Sequence, residues 1–219
     1  MKPFRTIVFD FDLTLVDSTR PVTRCINQAL EQMGRDVVSE VDVRNTIGLT
    51  LVDTYRRLTG DDDREATDQF RELFHAGADR FIVAETMFLP GVEDAIRTMK
   101  DRELTLGIVS TKRRARILAI LERLGLVESF DEVLGGDSVS RHKPHPEGLE
   151  AMLELLGSTA NQCLFVGDHE VDGGAAMAAS VPYVGVLTGG ATAETLRPYS
   201  PLAVLDGVHR LPEWLAAAV

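Results

Sequence analysis

The sequence predicts an α/β fold: a Rossmann-like doubly wound parallel sheet core carrying an inserted helical unit. Three observations lead there. Short unbroken apolar runs alternate with helical patterns through most of the chain, as in a parallel sheet covered on both faces. Three of these runs end in polar clusters, Asp10/Asp12/Thr14, Ser110/Thr111 and Gly167/Asp168. Residues 16–86 break the alternation, with helix after helix and no convincing strand.

Taken in order, Thr6-Ile7-Val8-Phe9 is β-branched and apolar without polar alternation, which suits a central strand. Ser18 or Thr19 caps a helix in which Val22, Ile26, Ala29, Leu30 and Met33 recur at helical spacing, and Gly34 ends it. Asp17 either bonds the hinge or begins that helix. Thr50-Leu51-Val52-Asp53 reads as a capping box for a helix that stops near Gly60. Asp61-Asp62-Asp63 opens the next helix, where acidic groups suit the helix dipole. Phe70, Leu73, Phe74, Phe81 and Ile82 form that helix's apolar stripe, and Pro90-Gly91 marks the return to the sheet. Further strands are expected over 104–109, 163–166 and 183–187, with a weaker one over 132–134. The resulting partition is a core of residues 1–15 and 87–219 with a helical insert over 16–86.

The 219 residues (24.0 kDa) are 44% hydrophobic and 26% charged, which argues against wholesale disorder. A net charge of −11 argues against nucleic acid as a partner, and no apolar run reaches the ~18–20 residues of a membrane span. The first apolar stretch runs straight into Asp10 and lacks the core of a secretory signal, so a cytoplasmic protein is expected. Cys25 and Cys163 lie in apolar-periodic segments without metal or redox spacing and are read as reduced and buried.

Ligands of doubly wound sheets sit beyond the carboxyl ends of the strands. Asp10 and Asp12 reach that edge, and Gly167-Asp168-His169-Glu170-Val171-Asp172 brings two more carboxylates. Such groups repel and resist desolvation unless a cation or a proton separates them. Asp10, Asp12, Asp168 and Asp172 carry −4 when ionised, and Lys143 returns +1. A divalent cation brings the sum to −1, and one retained proton brings it to zero. Oxygen-only ligands favour Mg2+, and the site then admits a phosphate held by Ser110, Lys143 and loop N–H groups.

These pieces resemble the haloacid dehalogenase superfamily of phosphatases, in order and roughly in spacing. The likeness lies in D-x-D-x-T at Asp10–Thr14, the strand-end Ser110, the lysine of K-P-x-P at Lys143, and G-D-x-x-x-D at Gly167–Asp172. It extends to Leu124-Gly125-Leu126, Gly136-Asp137 and the run 185–190. The insert is similar to the C1-type cap of this superfamily, and the phosphoglycolate-phosphatase-like group matches best. The resemblance implies a Mg2+-dependent phosphatase acting on a small phosphorylated metabolite, as monomer or dimer. Asp10 would be the nucleophile that forms an aspartyl-phosphate, and Asp12 the acid and then the base. Asp10, Asp168 and the Asp12 carbonyl would hold the metal, with Asp172 as a ligand or a support for one. Thr14, Ser110, Thr111 and Lys143 would bind phosphate or brace the loop. Gly48, Leu49 and Thr50 resemble a specificity loop, with Arg56 and Arg57 as candidates for a second anion on the substrate.

Two positions depart from the pattern. Leu13 stands where the family commonly has glycine, predicting a loop less free to adopt unusual dihedrals. Gly173-Gly174 replaces an Ala-Gly pair, weakening a helix start by ~1 kcal/mol each. A pyrophosphatase or sugar phosphomutase of the same superfamily remains a close alternative. A receiver-like module that stores its aspartyl-phosphate is the alternative of another class. A phosphonate-cleaving branch is rejected because the four lysines, Lys2, Lys100, Lys112 and Lys143, leave none in the insert. A dehalogenase lacks the acid that Asp12 supplies. His169, His142 and His145 are read as loop histidines.

Overall fold

The computed structural model describes residues 4–217. In chain order the elements begin with β1 (Thr6–Phe9), β2 (Val16–Asp17), α1 (Thr19–Gln32), α2 (Glu40–Arg44), α3 (Leu51–Thr59) and α4 (Arg64–Glu85). There follow β3 (Met87–Phe88), α5 (Val92–Asp101), β4 (Thr105–Val109), α6 (Arg114–Leu124), β5 (Glu132–Leu134) and α7 (Glu147–Leu155). The chain closes with β6 (Cys163–Gly167), α8 (Glu170–Ala178), β7 (Tyr183–Val186), α9 (Ala193–Leu196), β8 (Ala203–Leu205) and α10 (Leu211–Ala217). Six strands form one parallel sheet in the order β5-β4-β1-β6-β7-β8. Every carboxyl end therefore lies on the same edge, and the strand order reverses beside β1.

Alternation along β1 divides the core. Ile7 and Phe9 pack with Leu106, Ile108, Leu164 and Val166 against Ile96, Ile117 and Leu211 from α5, α6 and α10. Val8 and Phe165 face the other way, against Leu149, Met152 and Ala175 from α7 and α8. Both faces are dry, which is why the strands read as unbroken apolar runs. Cys25 and Cys163 are free and buried, and burial pushes their thiols up to about 11 and about 12. No described helix is long and apolar enough to cross a membrane.

Helices α1 to α4 pack chiefly on one another, with α4 laid along α1 and α3. Phe70, Phe74, Ala78 and Ile82 are the buried stripe of α4. The Thr50 hydroxyl accepts from the Asp53 amide at the start of α3, Gly60 ends it in the left-handed region, and Asp63 caps α4 through the Ala66 amide. Three expectations need correction. Residues 16–86 do contain a strand, because β2 pairs antiparallel with β3 as a two-stranded ribbon where the insert leaves and rejoins the sheet. Two-residue strands are too short to show a period. Ser18 occupies the cap position of α1 without capping it, and Asp17 Oδ1 accepts from the Thr19 amide at 2.9 Å instead. The edge strand β8 had no counterpart among the expected strands, since Ala203-Val204-Leu205 is a short, half-buried run.

Candidate active site

The parallel register sets β1 between β4 and β6, so the loops after these three strands meet. The Asp10 amide donates to the Val166 carbonyl at 2.8 Å, continuing the ladder one residue past β1 and fixing the Asp10 backbone. The chain then reverses at Leu13, whose φ of 59° lies in the left-handed region. Leucine thus adopts the backbone expected to require glycine. The cost is about 1–2 kcal/mol, and it is offset by a fully buried side chain worth about 1.5–3 kcal/mol.

Lys143 is the centre of the site. Its buried ammonium donates to Asp10 Oδ1 at 2.6 Å, Asp172 Oδ1 at 2.5 Å and the Val109 carbonyl at 3.3 Å. Burial pulls this ammonium towards neutrality, but Asp10 and Asp172 outweigh it and hold its pKa above the ordinary value. Asp172 also accepts from the His169 amide at 3.0 Å through its other oxygen, within a capping box that opens α8. Thr14 donates to Asp168 Oδ1 at 2.7 Å, so this hydroxyl braces a carboxylate across 154 residues of sequence.

Asp10, Asp168 and Asp172 are all buried and each offers an oxygen within 4.8 Å of the others. Burial raises the Asp10 carboxyl to about 7, with Lys143 opposing and Asp172 and Asp12 adding. Asp168 is likewise pushed well up, first by burial and then by Asp10 and Asp172. Three packed carboxylates against one ammonium lack positive charge, and their donors are all oxygen. The residues present therefore fit a hard divalent cation.

Asp12 stands apart from this cluster. Its Oδ1 accepts from Ser18 at 2.5 Å and pairs with the buried Lys112 ammonium at 2.9 Å. It also lines a cavity under α1 and α4 that Asp10 does not touch. Ser110 lies at the end of β4, its hydroxyl accepting from the Lys112 amide at 3.3 Å. Thr111 turns towards the insert and donates to the Gly48 carbonyl at 3.3 Å. Gly48 and Leu49 line the Asp12 cavity, and Thr50 lies on its outer continuation. The two arginines do not join them. Arg56 is exposed and pairs with Asp53, while Arg57 lines a separate cavity with Asn45, His169 and Glu170. The groups that sequence reasoning missed are Ser18, Lys112, His75, Arg113 and Arg116. Lys112 carried a signal, being a scarce lysine two residues past a strand-end serine.

The sequence profile of the haloacid dehalogenase-like hydrolases matches residues 7–186. The chain belongs to that family. A phosphoglycolate phosphatase from Rhodospirillum rubrum is 31% identical over 96% of this chain and 90% of its own length. Another from Salmonella paratyphi A is 33% identical over 96% of this chain and 92% of its own. A crystal structure from Bacteroides fragilis, described as a haloacid dehalogenase-like hydrolase, superposes with a TM-score of 0.92 at 34% identity. That match covers 95% of this chain and 99% of the other. This member of the haloacid dehalogenase-like hydrolases is a phosphatase, and its parallel α/β core is that of the family.

Proposed function

We propose that the chain is a cytoplasmic, Mg2+-dependent phosphatase that hydrolyses a small phosphate monoester through an aspartyl-phosphate on Asp10, with residues 16–86 acting as a cap over a core of 1–15 and 87–219. The observation that carries this reading is the buried Lys143 ammonium bridging Asp10 and Asp172 beside Asp168. An Asp10 carboxylate oxygen attacks phosphorus while the leaving oxygen takes a proton from Asp12. Water then gives its proton to Asp12 and attacks phosphorus, expelling the Asp10 carboxylate and releasing phosphate. The division of labour is supported by the geometry, since Asp12 lines the cavity on the leaving-group side and Asp10 does not. Lys143 and Ser110 hold the phosphoryl oxygens, and Thr14 keeps Asp168 in place. Asp10, Asp168 and the Asp12 carbonyl would hold the metal, and the His169 amide orients Asp172. When bound, magnesium supplies charge neutralisation and a template for the phosphoryl group.

The relatives' names make phosphoglycolate the first ester to try. With Mg2+ and a panel of phosphate esters, the wild-type chain is expected to turn over at least one and to label Asp10 transiently. Asp10→Asn is expected to abolish turnover of all of them, and an active Asp10→Asn protein overturns the assignment. A stable phosphoprotein without turnover would instead mark a receiver-like module.

A further inference from the structure

Above Asp12 the cleft between the helical insert and the sheet holds a cavity of about 110 Å3. A cavity of about 150 Å3 holds a benzene ring, so this one takes about five non-hydrogen atoms, and it opens into an outer groove of about 400 Å3. A two-carbon hydroxy acid, the leaving group of phosphoglycolate, has five non-hydrogen atoms and would fill the inner cavity while leaving the outer groove empty.

The walls are of two kinds. The insert supplies Val22, Ile26, Ile47, Leu49, Phe74 and Ile82, an apolar roof, while the core side supplies Lys112, Arg113 and Arg116. Two of these cations are already matched. Lys112 pairs with Asp12, and buried Arg116 donates from Nε at 2.9 Å and Nη2 at 2.5 Å to one oxygen of Asp79. Arg113, exposed at the rim, has no carboxylate partner among the described residues. Beside it, His75 Nδ1 is buried without a hydrogen-bond partner. Burial, then Arg113, Arg116 and Arg71, push this imidazole down to about 4, so the ring is neutral at neutral pH. Past His75 and Arg113 the cavity opens into an outer groove that Arg71 and His142 also line. Arg71 is paired with Asp68. One positive charge is thus left unanswered beside a broad apolar surface, in a chain whose net charge is −11.

We infer that the substrate is a phosphate ester whose leaving group is larger than a two-carbon acid and carries one negative charge at its far end. An apolar middle lies under α1 and α4, and the anionic end reaches Arg113. A second phosphate fits less well, because a dianion exceeds the single unmatched charge. This inference rests on the phosphatase reading and names the class of ester that the same site takes.

The test compares kcat/KM of the full chain with Mg2+ on 4-carboxybenzyl phosphate, benzyl phosphate and 2-phosphoglycolate. The first two have similar leaving oxygens and differ by one carboxylate. The carboxylated ester is expected to exceed both others by about tenfold or more, as for a charge-assisted hydrogen bond. Arg113→Gln is expected to cut its advantage over benzyl phosphate to about threefold or less, with Arg113→Lys keeping more of it. If phosphoglycolate is preferred, or benzyl phosphate serves equally well, this inference alone is overturned. If no phosphate ester is turned over, the phosphatase reading falls and takes the inference with it.

Discussion

Asp10 and Asp12 are two residues apart in sequence and sit in different surroundings. Asp10 is enclosed with Asp168, Asp172 and Lys143, whereas Asp12 faces the cavity under α1 and α4 and is held by Ser18 and Lys112. The Lys112 contact fixes one orientation of the Asp12 carboxylate. Lys112→Met leaves that carboxylate with the Ser18 hydroxyl as its remaining side-chain partner. Stability at pH 8 is expected to fall by roughly 1–3 kcal/mol in urea unfolding, less than for a dry buried pair because a cavity adjoins the site. The kcat for a benzyl ester, whose leaving oxygen needs a proton, should fall further than that for p-nitrophenyl phosphate. Equal losses on both esters would show that Lys112 does not act through Asp12. The acidic motif itself was legible because unbroken strands ended in carboxylates. Its partners were less so: Lys112 was marked only by its scarcity and its place after a strand-end serine, and nothing local marks Ser18 as a neighbour of Asp12.

At the scale of elements, α8 carries Asp172 and sets how closely the Lys143 turn approaches it. Gly173 and Gly174 looked like a weak helix start. In the fold they are close-approach positions: an added Cβ would lie 2.6 Å from Cγ of Tyr199 at Gly173 and 2.7 Å from Cβ of Pro144 at Gly174. Only the second contact touches the turn that holds Lys143. Gly174→Ala gains about 1 kcal/mol of helix propensity, yet pushes Pro144 and with it the ammonium away from Asp10 and Asp172. The kcat is expected to fall about tenfold or more, since small misplacements of positioning groups are costly. In a Pro144→Ala background the same change should cost much less, and an undiminished penalty there would rule out the contact as its cause. The strands of the sheet were readable because both faces are buried. The two-residue β2 and β3 and the half-buried edge strand β8 were not, since neither length nor burial gave them a pattern. Leu13 misled in another way: its side-chain burial offsets a backbone conformation that sequence preference argues against.

At the scale of the molecule, the buried carboxylates tie stability to pH. Burial lifts Asp10 to about 7 and Asp168 well above its ordinary value, so the folded chain keeps protons that the unfolded chain releases near pH 4. Stability without a divalent cation therefore falls as pH rises from about 4 to about 7. His75 runs the other way: lowered to about 4, it contributes stability that is lost as pH falls below about 6.5. Comparing melting with and without Mg2+ at each pH cancels the His75 contribution. The metal-induced rise in Tm is expected to be larger at pH 8 than at pH 5, where protons already occupy the carboxylates, and equal rises would count against metal binding at this cluster. One consequence of the β2–β3 ribbon concerns exchange. The chain departs and returns at directly paired positions, Asp17 opposite Met87 and Val16 opposite Phe88. Strand partners lie only about 5 Å apart, so the four helices between them behave as a cassette. A different helical unit could be grafted onto the same two stems while the sheet registers that place Asp10 stay as they are.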